Sequence, residues 1–213
     1  MEAEPSSGFA QTASHIPVGI SIQSHPCIIV CINKGFYRSL SHQVFPSGNI
    51  EPSNLIMLFI DEKTIDLAID AISDSDERYD AALASIESQQ AELMSYLFAE
   101  DEATFNEDEK DFLLYLLLII WEAVRTKVEK INPVPASAIS DAEEASWETL
   151  EASVGKKFRD RLDPFFEATK QEDLLAFVED ALLDDDDTPV TKEGREPMFV
   201  TLKAVIDCLD QFN

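Results

Sequence analysis

Ten consecutive apolar or aromatic residues, Phe112 to Trp121, constrain this chain more than any other feature. The run is roughly half the ~20 residues needed to cross a bilayer, so its natural place is a protein core. Its flanks are helical in character. Asn106 and Glu109 form a capping-box-like pair before it, with Asn in place of the usual Ser or Thr. Glu107, Asp108, Glu109 and Asp111 cluster at its start, and Arg125, Lys127 and Lys130 at its end. That order complements the helix dipole. Pro133 and Pro135 then prevent continuation. The signals predict a helix over about 107–130. Being apolar on every side, it needs neighbours on several sides.

Those neighbours are also predicted to be helices. Asp61 can cap a short helix to about Ile72. From about Asp76 to Ala99, Tyr79, Leu83, Ile86, Gln90, Leu93 and Leu97 alternate steps of four and three, one stripe of a single helix with Gln90 as its polar interruption. Ser140 with Glu143 reads as an S-x-x-E box opening a fourth helix through Trp147, Leu150, Val154, Phe158 and Leu162. Asp163-Pro164 is expected to break it, and Phe165 and Phe166 to fold back onto the core. Thr169 with Glu172 repeats the box ahead of a fifth helix, which Asp184 to Asp187 and Thr188-Pro189 end. Pro197 suits the first turn of a last helix. There Met198, Leu202, Val205, Leu209 and Phe212 form a 4-3-4-3 stripe. The predicted architecture is all-α, a compact bundle of about six helices around the 107–130 helix. No repeat of fixed period is visible, which disfavours a solenoid.

Composition divides the chain in two. Residues 1–56 hold only five charged side chains, four of the six glycines and all three histidines. Residues 57–213 carry 39 acidic and 14 basic side chains, a net charge of −25 out of the −26 of the whole chain. Residues 1–56 are therefore expected to be a low-charge, irregular or weakly ordered segment, and 57–213 an acidic helical domain. Within the first part only Cys27–Ile32 is β-branched enough for a short strand. Met57 would make an ordinary start, with the upstream residues not native. Glu2 and Glu4 stand where a signal peptide would be basic, and the expected location is the cytoplasm.

The charge argues against direct nucleic-acid contact through phosphates and against an anionic membrane surface, both of which require excess Lys and Arg. It is compatible with a basic protein partner or a divalent cation. Because all histidines lie upstream, His-based zinc, di-metal and Ser/Cys–His catalytic sites cannot be confined to the helical part. Only Gly155 and Gly194 follow residue 48, so phosphate-cradling loops are absent. No cofactor is expected.

Four candidate groups remain. His25, Cys27, Cys31 and His42 can be imagined as zinc ligands, but a Cys-x-x-Cys knuckle is missing. Cys208 falls beside a core stripe, where an inert buried thiol is expected. Asp184, Asp185, Asp186 and Asp187 form the densest charge cluster. It can attract Ca²⁺ or Mg²⁺ or a basic partner, yet it lacks the alternation, glycine and closing Glu of an EF-hand. Lys156, Lys157, Arg159 and Arg161 are the one basic concentration. They can contact an anion or a partner, or neutralise acidic neighbours. The functional expectation is a non-enzymatic helical interaction domain. A nucleic-acid-mimic inhibitor and a carboxylate-based divalent-metal enzyme are the alternatives.

Overall fold

The computed structural model describes residues 59–99, 104–155, 157–183 and 188–212. Among these there are eight α-helices and one 3-10 turn, and no strand. The Cys27–Ile32 segment, the His/Cys zinc candidates, Met57 and the boundary at 56/57 lie outside the described residues.

α1, Glu62–Ser73, starts where Asp61 accepts hydrogen bonds from the Thr64 backbone N–H (2.9 Å) and the Thr64 hydroxyl (2.8 Å). These satisfy one donor that the first helical turn leaves open. Ile65, Ala68, Ile69 and Ile72 recur at helical spacing and are buried. α2, Asp76–Gln89, is capped by Ser75, and α3 spans Ala91–Leu97. The single helix expected over 76–99 is therefore two. Gln90 leaves helical dihedrals (φ −131°, ψ 47°) and is fully buried. The polar residue in the apolar stripe is the break.

α4, Glu107–Lys127, is the expected central helix, three residues shorter than expected at its end, so that Lys130 stands beyond it. Its capping box closes: Asn106 Oδ1 accepts from the Glu109 N–H, and Glu109 Oε2 accepts from the Asn106 N–H, both at 3.0 Å. In the apolar run, Leu113 and Leu116 to Trp121 are fully buried, and only Leu114 and Tyr115 reach the half-buried rim. The Tyr115 hydroxyl there meets Ser73 Oγ at 3.0 Å. Each such buried side chain contributes roughly 1.5–3 kcal/mol. α1, α2 and α8 close around α4.

α5, Ala136–Ala152, corrects two expectations. It begins four residues before Ser140, directly after Pro135, whose fixed φ suits a helix entrance (φ −74°, ψ 145°). It also ends ten residues before Leu162, so Val154 stands outside the helix and is 98% exposed. A 3-10 turn, Arg159–Arg161, and α6, Asp163–Ala168, follow. Asp163-Pro164 starts α6 rather than ending the previous helix, because a proline in the first turn lacks only an N–H that would be unpaired anyway. Phe165 folds back as expected and meets Phe199 edge to face at 5.1 Å.

α7, Glu172–Leu183, packs on α8, Arg195–Gln211. The Thr169 box does not form: its hydroxyl accepts from the Gln171 N–H at 3.1 Å, two residues on rather than three. Pro197 lies in the first turn of α8, as expected, and Met198, Leu202, Val205 and Leu209 are fully buried. So are Phe199, Val200 and Ala204, off that stripe. α8 is a second core helix, covered by α4, α5 and α7.

Candidate functional site

Three buried polar side chains are used to join segments. Gln90 Oε1 accepts the Val134 N–H (2.9 Å) while its Nε2 donates to the Asn132 carbonyl (3.2 Å), fixing the α4–α5 connection. Gln171 accepts the Ile60 N–H (3.1 Å) and donates to Asp210 (2.8 Å). Glu109 uses its second oxygen, Oε1, to accept from the Thr191 N–H (2.9 Å) and hydroxyl (2.7 Å), tying the loop before α8 to the start of α4. Burial alone would raise its carboxyl. The bonds from the Thr191 hydroxyl and from the Asn106 and Thr191 backbone outweigh that and hold it below the usual carboxylate range.

The basic group at 156–161 is drawn apart. Arg159 Nε pairs at 3.0 Å with Glu179, whose side chain is only 4% exposed. Burial also raises Asp180 beside it, with Arg159 opposing the shift. Arg161 pairs with Glu196 and donates to the Leu150 carbonyl at 3.0 Å, joining the end of α5 to the start of α8. Lys157 is exposed in the short stretch between α5 and the 3-10 turn. Lys156 and Asp184, Asp185, Asp186 and Asp187 lie outside the described residues. The two arginines thus stand against acids of the protein itself, on α7 and α8.

Cys208 is buried as expected, and burial, with Asp207 and Glu143 nearby, pushes its thiol up to about 11. A thiol so held is protonated near neutral pH and a poor nucleophile. Among the described residues no three His, Cys, Asp or Glu side chains gather as a metal site. The crevice lined by Ile60, Val128, Gln171, Leu174 and Asp210 has a volume of about 10 Å³. That is room for about one water, not for a substrate. No helix among the described residues is long and apolar enough to cross a membrane.

What the bundle does present is a row of acids on α5. Asp141, Glu144, Glu148 and Glu151 are all exposed and spaced three, four and three residues apart. At 1.5 Å per residue they rise along one side of the helix in steps of about 4.5–6 Å. α5 holds no Lys or Arg, and none of the four enters an ion pair among the described residues. Like charges three or four apart destabilise a helix by roughly 0.2–0.5 kcal/mol per pair. The fifth acid, Glu143, faces inward instead, accepting from the Tyr96 hydroxyl (2.8 Å) and the Thr201 hydroxyl (2.9 Å). α5 is held on α8 along its other side, so the row sits on a supported element.

The row is not among the residues expected from the sequence. Its 3-4-3 spacing was there to be read, but a helix expected to open at Ser140 places Asp141 in the capping turn instead of on a face. Comparison with protein-family models, with curated proteins and with solved structures finds no match for this chain.

Proposed function

We propose that this protein is a non-enzymatic interaction domain of the cytoplasm that binds a basic protein partner, with the outer face of α5 as the contact surface. The observation that carries this reading is the row Asp141, Glu144, Glu148 and Glu151, exposed and without a base on its own helix. Like-charge repulsion along α5 is a local cost that a cationic partner would relieve. A field of this strength also speeds encounter with basic proteins and disfavours acidic ones.

The nucleic-acid mimic is the second reading, and charge spacing separates the two. A nucleic-acid strand carries one charge per about 3.4 Å of axis. The α5 row carries one per about 4.5–6 Å. The sparser row suits Lys and Arg side chains, which can each reach to a separate carboxylate, better than a surface shaped for phosphates. A carboxylate-based metal enzyme would need convergent buried acids. Glu109 and Glu179, the buried acids among the described residues, are engaged with separate partners.

The test is affinity capture from native lysate at low and high salt, with the parent chain and a variant carrying Asp141→Asn, Glu144→Gln, Glu148→Gln and Glu151→Gln. The reading requires a basic protein retained by the parent at low salt, released at high salt, and lost by the variant. An unchanged capture profile in the variant would overturn it. Release of the captured protein by added duplex DNA would favour the mimic.

A further inference from the structure

We draw no further inference here: the strongest candidate, the cluster of Glu179 and Asp180 near the end of α7 with Arg159 set against it, is an acidic pair facing a cation of the protein's own, and no second feature among the described residues points to a ligand there.

Discussion

The backbone N–H of Val134 donates to the side-chain oxygen of Gln90 across 2.9 Å, and both residues are fully buried. A buried N–H without a partner costs about 1–3 kcal/mol, so this amide offsets a penalty that the α4–α5 loop would otherwise carry. Replacing Gln90 with Leu keeps the apolar stripe and removes both bonds. The expected result is a loss of about 1–3 kcal/mol in urea unfolding. A variant as stable as the parent would mean that the side chain serves only as filler between α2 and α3.

Leu116 and Leu117 lie in the centre of α4 with no exposed surface. Truncating either to Ala removes buried methyl groups and leaves a cavity in a helix enclosed by α1, α2 and α8. Each change should cost about 2–5 kcal/mol in equilibrium denaturation. A cost under about 1 kcal/mol for both would contradict the enclosure of α4.

The reach of the sequence follows from where each signal's partner lies. α4 was legible to within three residues of its end because its cap and its dipole charges are local and agree, while Pro133 and Pro135 only bound a helix that already stops at Lys127. Asp61 and Pro197 likewise act within one turn of themselves. The S-x-x-E match at Ser140 failed because the helix already opens at Ala136, so Ser140 lies inside it, and Glu143 turns to Tyr96, 47 residues away, and Thr201, 58 residues away. Gln90 stood out as a polar interruption, but its reason sits in the backbone of residues 132–134. For the candidate residues the pattern repeats. Arg159 and Arg161 were visible as charge, while Glu179 and Glu196, which pair with them, belong to helices brought there by folding.

Glu109 predicts a dependence on acidity. Its folded-state pKa is lowered from the ordinary 4.5, so the carboxylate contributes stability fully present above that value. The contribution is lost as pH falls through the lower folded value. Glu109→Gln should cost about 1–3 kcal/mol at pH 7, because an amide cannot accept from Asn106 N–H and both Thr191 donors at once. The difference between parent and variant should narrow below about pH 4.5, where unfolded carboxyls protonate. A gap in urea midpoint that stays constant from pH 7 to pH 3 would rule out the carboxylate as its source.

Arg159 and Lys157 separate structural from partner-facing cations. Arg159→Met strips a cation from the buried Glu179 carboxylate and should destabilise the fold by about 1–3 kcal/mol, the half-exposed arginine being partly screened by solvent. Lys157→Met, at an exposed position, should stay within about 0.5 kcal/mol. Equal and negligible effects in thermal melting would show that Arg159 holds nothing in place and return it to the candidates for anion contact.

The acidic row itself makes the sharpest prediction, because stability and binding should move in opposite directions. Neutralising Asp141, Glu144, Glu148 and Glu151 to their amides removes repulsion along α5 without touching the core, so the melting temperature should hold or rise. Binding of a lysine-rich peptide should weaken, and the steepness of its salt dependence should fall, since fewer charges take part. Net charge alone could produce some of that loss. The control is a second quadruple variant with the same change of four charges, Asp184, Asp185, Asp186 and Asp187 to Asn, in the cluster that follows Leu183 in the sequence. If the face of α5 is the contact, the first variant loses affinity well beyond the second at equal ionic strength. Equal losses would reduce the effect to overall charge, and a larger loss in the second would move the contact from α5 to the aspartate cluster. The same two variants, melted with and without Ca²⁺, separate a cation from a partner. A Ca²⁺-dependent rise in the parent that disappears only in the Asp184–Asp187 variant would assign a cation to the cluster, leaving α5 as the surface for the protein partner.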